Sequence, residues 1–290
     1  MNKTKTIATK LLLSFFALLM PLLALAGEPI KCGDNVTLTI ENDVATFSGT
    51  GPMYDYVYIW SIGEKSPLGG NSDLRKVIIE EGITTVGAHI FANCENLVYV
   101  SIPEGVTKIG QGAFVACRRL TSIILPKSLK KIDEGAFSNC NDITTIVIPE
   151  GVTEIGDWPF EFCYKLESIT LPSTLKSVGR KLFDQGTFTQ ASDPCIYCYA
   201  EIPPTTVDDS FMNSKLVRLY VPAKSIDSYK NSGWVYYHRR TSSIEEALSI
   251  EQPTMDNGEV KIYNLMGHEV KQAESLKGIY IVNGKKVIFK

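Results

Sequence analysis

Apolar residues recur along the chain at a fixed interval of 23 residues. The stretch IPEGVTKIGQGAFVACRRL at 102–120 returns as LPKSLKKIDEGAFSNCNDI at 125–143 and as IPEGVTEIGDWPFEFCYKL at 148–166. Five units begin with a leucine or isoleucine that is followed by apolar residues three and five places later: Leu74, Leu97, Leu120, Ile143 and Leu166. Such a repeat is typical of a solenoid, in which each unit stacks on the next.

The last two apolar residues of each set flank a residue that faces the other way, which predicts a short β-strand. In four units a proline follows directly and ends the strand: Pro103, Pro126, Pro149 and Pro172. Farther on, each unit has a residue type suited to positive φ, and we expect corners there: Gly87, Gly110, Asp133, Gly156 and Gly179. The turn after the proline has glycine in some units but Ser128 and Thr174 in others, so we expect no requirement for glycine at that turn.

A single unit cannot fold alone. It has roughly eight inward apolar side chains, and burial of each contributes about 1.5–3 kcal/mol. Ordering the residues of one unit costs about 1.5 kcal/mol per residue, which exceeds that gain. Only stacking, which shares each core with the next unit, favours folding. The sequence therefore predicts a mainly β solenoid with one parallel strand per coil.

The frame LxxIxLPxxLxxIGxxAFxxC resembles the leucine-rich repeats of the BspA type over residues 74–184. It lacks the asparagine ladder of the commonest leucine-rich repeats, as that subclass does. The resemblance implies a surface protein of an anaerobic bacterium. It also implies attachment to host matrix proteins or to other bacteria.

Both ends of a coil stack expose core and require caps. The stretch CGDNVTLTIENDVATFSGTGPMYDY at 32–56 predicts two alternating strands joined by a turn, and it is similar to the amino-terminal cap of the same family. We therefore assign 27–73 to an N-terminal β cap. A strand frame returns near Leu219 and is followed by the short amphipathic helix AKSIDSYKNSGW, so the solenoid with its terminal cap is predicted to span 74–240.

The first 26 residues predict a signal peptide. Three lysines precede the apolar run LLLSFFALLMPLLALA, which ends in small residues and is too short to span a membrane comfortably. Removal of these residues leaves 26 basic against 32 acidic residues, a formal charge of −6. We expect an exported protein at the outer surface or outside the cell, with the periplasm as the alternative. A basic face for nucleic acid is not expected.

Residues 241–258 are polar and predict a linker, and 259–290 predict a small C-terminal β module. Asn283 and Gly284 lie between two alternating runs, as in a tight hairpin. The string YNLMG...LKGIYIVNGKKV resembles the carboxy-terminal sorting domains of the type IX secretion system of the Bacteroidetes. The tail is therefore interpreted either as a sorting signal or as a plain structural module.

Four cysteines repeat with the coil: Cys94, Cys117, Cys140 and Cys163. Equivalent positions on successive coils form a row spaced by about 4.8 Å, whereas zinc requires ligands that converge on one point. A buried thiol ladder is expected, with disulfides between neighbouring coils as a steric alternative. Cys195 and Cys198 form a CxxC on a predicted strand, where they face opposite sides, so redox activity is not expected.

The sequence contains no constellation typical of catalysis, and no cofactor or metal is expected. His89, His238 and His268 lie in three different regions of the chain. Asp208 and Asp209 are adjacent carboxylates in a predicted solvated loop. Phosphate-loop, GxSxG and HExxH motifs are absent from the sequence.

The outward positions of the predicted strands are nearly uncharged and rich in β-branched residues. One interpretation is that such residues merely favour strands. The other is a partner-binding face, since solenoids commonly bind through their sheet. The candidate face comprises Lys76, Ile78, Tyr99, Ser101, Ser122, Ile124, Thr145, Val147, Ser168 and Thr170.

Two functional hypotheses follow. The first is a secreted or cell-surface, non-catalytic protein that binds a protein partner on host matrix or on another bacterium. The second is an envelope scaffold or a subunit that captures a glycan or another ligand. An enzyme is the third reading, and no group of residues supports it.

Overall fold

A computed structural model describes residues 28–57, 65–183, 187–190, 194–207, 217–234 and 241–248, and the backbone of three strands beyond 260. The leader at 1–26 and residues 249–258 of the predicted linker lie outside these residues. Within them the chain forms a β-solenoid of parallel strands, which confirms the predicted fold class.

The N-terminal cap is an antiparallel sheet that begins the solenoid. Its strands are β1 (Ile30–Lys31), β2 (Asn35–Glu41) and β3 (Val44–Pro52). The β2–β3 hairpin is the one that the alternation predicts, and it turns at Asn42, where φ is 56°. Val36, Leu38 and Phe47 are fully buried, so one face of the hairpin covers the first coil.

The predicted parallel strands form a ladder along one side of the coils, called the front ladder below. Its strands are β4 (Lys76–Ile79), β6 (Tyr99–Ser101), β9 (Thr145–Val147), β11 (Ser168–Leu171), β13 (Cys195–Cys198), β14 (Arg218–Val221) and β15 (Thr241–Ser243). Neighbours pair in parallel at the coil interval, as Ile146 pairs with Ile169. Residues 121–126 of the third coil form no strand, so the front ladder is interrupted between β6 and β9.

Each of the first five coils also contains a strand of two to four residues on another side, which adds to the predicted architecture. This side ladder consists of β5 (Ile83–Val86), β7 (Lys108–Ile109), β8 (Lys131–Ile132), β10 (Glu154–Ile155) and β12 (Ser177–Val178). Its strands are also parallel, and Lys108, Lys131 and Glu154 pair in register. β3 begins both ladders, because it pairs with β4 near Val44 and with β5 near Gly51.

The core lies between the ladders and is filled by one phenylalanine per coil. The five rings stack almost in parallel, with centroids 5.1–6.4 Å apart and interplanar angles of 2–19°. All five are fully buried: Phe91, Phe114, Phe137, Phe160 and Phe183. Phe47 of the cap meets the first ring edge-on at 5.6 Å, so the cap continues the same core.

The positive-φ corners are not at the glycines that the sequence analysis chose. Gly110 and Gly156 lack positive φ, and they are needed because a Cβ there would lie 2.7 Å or less from a backbone nitrogen of the preceding coil. Glycine at the turn after the proline does have positive φ, about 100° at Gly105, whereas Ser128 and Thr174 hold the same position without it. Glycine is therefore not required at that turn, as expected. The true corners recur at another position, with φ of 46–60°: His89, Gly112, Gly135, Trp158 and Lys181. These five are called the corner positions.

The C-terminal end of the solenoid is closed by a short helical segment. A 3₁₀ turn (Ala223–Ser225) leads into α1 (Ile226–Lys230), and Tyr229 and Trp234 are buried against the last coils. The indole N–H of Trp234 donates to the carbonyl of Pro204 at 3.0 Å.

The start of the predicted linker belongs to the solenoid, which corrects that boundary. β15 pairs in parallel with β14 and is followed by α2 (Ile244–Leu248). The Ser243 hydroxyl accepts the backbone N–H of Glu246 at 2.9 Å and so supports the first turn of α2. The polarity of this segment reflects an edge strand with a helical cap, which exposes more of its surface than an inner coil does.

The tail contains β16 (Ile262–Asn264), β17 (Gly278–Val282) and β18 (Lys285–Phe289), paired antiparallel in that order. Val282 pairs with Lys285, which confirms a hairpin between β17 and β18. Residues 283 and 284 of its turn lie outside the described part.

Candidate functional site

The outward side chains of the front ladder and of residues 121–126 form the predicted partner-binding face, called the front face. The side chains of Tyr99, Ile124 and Val147 are 51%, 55% and 40% exposed. This degree of exposure is unusual for large apolar side chains in a repeat protein. They lie in three consecutive coils and are named the apolar patch. Ser122 and Thr145 beside them are also exposed.

One basic side chain, that of Lys76, lies beside the apolar patch. It is the only basic residue at the outward positions of the front strands described before the fifth coil. The ammonium of Lys76 lies 5.3 Å from the centroid of the Tyr99 ring, within the range of a cation–π contact. Ile78 and Ser101 are half-buried beside this pair.

Two residues of the candidate face are not available as predicted. Ser168 and Thr170 are only 8% exposed. Thr170 pairs with Tyr197 of the next strand, and on neighbouring strands such residues lie about 4.8 Å apart, so the large ring crowds the smaller side chain. The open front face therefore ends before β11.

Tyr197 and Tyr220 were missed as front-face residues. Their rings stack at 5.0 Å with an interplanar angle of 16°, and both are half-buried. The 23-residue period fails before Tyr197, so the coil was not recognised there. The shared alternation in CIYC and RLYV, each with a tyrosine in third place, was the available signal.

The repeated cysteines form a row of buried thiols, and none of the seven cysteines, all within the described residues, forms a disulfide. Each thiol donates to a carbonyl of the preceding coil at 3.2–3.3 Å, as Cys140 does to Phe114. The Thr187 hydroxyl donates to the Phe160 carbonyl at 2.8 Å and so takes the next place in the row. Burial raises the pKa of Cys94 to about 12, and it also raises the pKa of Cys117 and of Cys140, so these thiols stay protonated.

The CxxC residues point to opposite sides of β13, as the strand prediction required. Cys195 is half-buried on the front face, whereas Cys198 is fully buried. The Cys198 sulfur lies 3.1 Å from the Tyr229 hydroxyl, which donates to the Ala200 carbonyl. Burial raises the pKa of Cys198 to about 11, so it lacks the lowered pKa of a redox thiol.

Side-chain hydrogen bonds join the coils in pairs at the turns that follow the prolines. Glu104 accepts the backbone N–H groups of Lys127 and Ser128, both at 3.1 Å. The Ser128 hydroxyl accepts from Gly105 N–H and donates to the Val106 carbonyl. This set of bonds is called a turn clasp.

A second turn clasp joins the fourth and fifth coils. The Glu150 carboxylate accepts hydrogen bonds from the backbone N–H and the hydroxyl of Ser173, at 3.0 and 2.9 Å. The Thr174 hydroxyl accepts from the Gly151 N–H and donates to the Val152 carbonyl. In each clasp the carboxylate belongs to a Pro-Glu-Gly turn (a PEG turn) and the hydroxyl belongs to the corresponding turn of the following coil. Clasps therefore occur at every second junction between neighbouring coils among the described coils. The repeat therefore has a two-coil unit in its hydrogen bonding.

No group of histidine, cysteine or acidic residues within the described part of the chain is arranged to hold a metal ion. In the same part, no helix has the length and apolar character needed to cross a membrane.

Residues 69–189 match the family model of the BspA type leucine-rich repeat region in six copies. No curated protein matches the chain. Three solved structures are similar to it. A leucine-rich cell surface protein from Faecalibacterium prausnitzii is 25% identical to this chain, with a TM-score of 0.46. The match covers 67% of this chain and 55% of the Faecalibacterium chain. A leucine-rich repeat protein from Eubacterium ventriosum is 20% identical to this chain, with a TM-score of 0.49. The match covers 68% of this chain and 67% of the Eubacterium chain. A leucine-rich repeat protein from Treponema pallidum is 22% identical to this chain, with a TM-score of 0.43. The match covers 65% of this chain and 88% of the Treponema chain.

Proposed function

We propose that this leucine-rich repeat protein is exported and binds a protein partner through its front face, without catalysis. The partner class is a host matrix protein or a protein on the surface of another bacterium, as for an adhesin. The observation that carries the proposal is the apolar patch. Tyr99, Ile124 and Val147 expose apolar surface in three consecutive coils, and contiguous exposure of this kind marks interaction sites.

The composition of the patch supports a protein partner. Tyrosine and aliphatic side chains supply the buried centre of protein interfaces, whereas charged residues are depleted there. The patch is uncharged apart from Lys76 at its border, and Ser122 and Thr145 provide short polar groups beside it. Val98, 40% exposed, extends the apolar surface next to Tyr99.

The test uses the purified full chain on immobilised, purified extracellular-matrix proteins and on whole cells of other bacteria. Ile124→Lys and Tyr99→Glu each place a charge in the patch, and we expect each to weaken binding about tenfold or more. Surface plasmon resonance measures the loss. Ile202→Lys is the matched control, because Ile202 is 83% exposed outside the front face. Equal binding by the patch variants and the control would contradict the proposal.

A glycan-binding envelope subunit is the second candidate, and the stacked tyrosines favour it. The Tyr197–Tyr220 pair presents aromatic surface near the C-terminal end of the front ladder. Tyr220→Ala should then reduce binding to a glycan array while Ile124→Lys leaves it unchanged. Loss through Ile124→Lys alone would favour the protein partner instead.

Export is part of the proposal, and two experiments address it. Protease treatment of whole cells should degrade the protein if it lies on the outer surface and spare it if it lies in the periplasm. A periplasmic reporter fused to residues 241–290 should reach the cell surface if the tail is a type IX sorting signal. Retention of every fusion in the periplasm would assign the tail a structural role.

A further inference from the structure

The third coil carries a stretch of unpaired backbone at the centre of the front face. Among the described residues, no N–H group or carbonyl of residues 121–125 hydrogen-bonds to another backbone group. The strands on either side, β6 and β9, each pair only on the side away from this segment. The gap therefore lies inside the front ladder and not at its end.

The inward side chains of this segment are less deeply buried than their counterparts. Ile123 and Leu125 are each 7% exposed. The equivalent residues of the next two coils are 2% exposed or less: Ile146, Ile148, Ile169 and Leu171. The segment therefore lies slightly outward of the ladder. It also carries Ile124, the most exposed side chain of the apolar patch.

The same coil is firmly held outside the segment. On its other side, β8 pairs with both β7 and β10. Just before the segment, the Arg119 N–H donates to the Glu95 carbonyl at 3.1 Å. Just after it, the first turn clasp holds the backbone of Lys127. Any movement is therefore confined to residues 121–126, between two fixed points.

The segment has the residue types of a strand. The sequence TSIILP at 121–126 aligns with TTIVIP at 144–149, which contains β9, and both are rich in β-branched residues. Thr121, Ser122 and Ile124 are exposed, so water reaches the chain there and binds its unpaired groups. Hydration thus stabilises the open form of a segment that is suited to pairing.

A partner on the front face would remove that water. Backbone groups that are unpaired and dry cost free energy, whereas pairing them with β6 and β9 removes the cost. We propose that residues 121–126 become a strand and close the front ladder when a protein partner covers the face. This inference rests on the proposed function, and it couples binding to a local change of structure.

Hydrogen exchange followed by mass spectrometry tests the open form in the free chain. The amides of 121–125 should exchange about tenfold or more faster than those of 167–171, because β11 is paired on both sides. Trimethylamine N-oxide at about 1 M favours backbone burial and should slow exchange in 121–125. Protection of these amides without the osmolyte, or no slowing with it, would overturn the proposal.

Two serines at equivalent positions provide a matched pair of proline variants. Ser122→Pro removes an N–H that has no backbone acceptor among the described residues, so the thermal midpoint should change by less than about 2 °C. Ser168→Pro removes the N–H that donates to the Thr144 carbonyl at 3.3 Å, and the midpoint should fall by about 5 °C or more. An equal fall for Ser122→Pro would show that the segment is already paired and would overturn the proposal.

Binding to the same matrix proteins and cells separates this inference from the proposed function. Ser122→Pro removes one ladder bond of the closed form and should weaken binding about fivefold. Loss of binding through Ile124→Lys alone would overturn the closure and leave the proposed function intact. Wild-type binding by both variants would overturn the two together.

Discussion

At the scale of single residues, the repeated cysteine is explained by a buried carbonyl that accepts a second hydrogen bond. The Phe114 carbonyl, for example, already accepts the backbone N–H of Cys117 at 3.2 Å and has a second lone pair that water cannot reach. The cysteine side chain fills a small space and donates to that carbonyl. Thr187 does the same with a hydroxyl, which shows that the row requires a short donor rather than sulfur.

Substitution of Cys140 tests this explanation. Cys140→Ala leaves the Phe114 carbonyl with its backbone donor alone and should lower the free energy of unfolding by about 0.5–1.5 kcal/mol. Cys140→Ser keeps a donor and should cost less. Urea denaturation followed by circular dichroism measures both values. A serine variant that is less stable than the alanine variant would show that apolar packing, not the hydrogen bond, decides the residue.

At the scale of secondary-structure elements, sequence patterns predicted the front strands and missed the side ladder for a physical reason. A strand is recognised by alternation, and Val77 and Ile79 alternate. The inward residues near the side ladder, such as Val106 and Ile109, are three apart, and most strands there have two residues. The corner positions were missed because Trp158 and Lys181 are not residue types that favour positive φ.

Prediction of the candidate site had the same limits. Tyr99, Ile124 and Val147 were found because alternation assigns them to the outer side of the strands. Ser168 and Thr170 were wrongly expected to be exposed, since they pair with Cys195 and Tyr197 of β13, which lies beyond the loss of the period.

The turn clasps make stability depend on pH. The backbone N–H of Lys127 is the main cause that lowers the pKa of Glu104 below its usual 4.5. The stabilisation is complete above that ordinary value and is lost as the pH falls through the lowered pKa. Glu104→Gln should therefore reduce the thermal midpoint at pH 7 and have little effect at pH 3. Glu81→Gln is the control, since Glu81 holds the same turn position in the first coil outside a clasp, and it should change neither midpoint.

At the scale of the whole molecule, the coils stack as pairs, although the apolar pattern repeats singly. The core gives every coil the same phenylalanine and leucine positions, so it does not distinguish one joint from the next. The turn clasps do, because a PEG turn carries the acceptor and the following turn carries the hydroxyl. A stack of alternating turns is therefore more stable than a stack of identical ones.

Deletion of coils tests the paired arrangement. Removal of 125–170 brings Glu104 next to Ser173 and Thr174 and should preserve a clasp. Removal of 125–147 brings Glu104 next to Glu150, which replaces a clasp with two like charges. We expect the shorter deletion to be the more damaging, with a lower thermal midpoint by circular dichroism. The opposite order would show that core length alone determines stability.

The shared strand β3 has a consequence for how the molecule forms. Because β3 pairs with the first strand of each ladder, the amino-terminal hairpin offers a ready template for two growing edges at once. A chain made from its amino end completes this template before any coil exists. Each later coil then adds its strands to an existing sheet edge and avoids a separate nucleation step. Assembly of the stack is thereby directional, and an early error in the hairpin would propagate through every turn that follows.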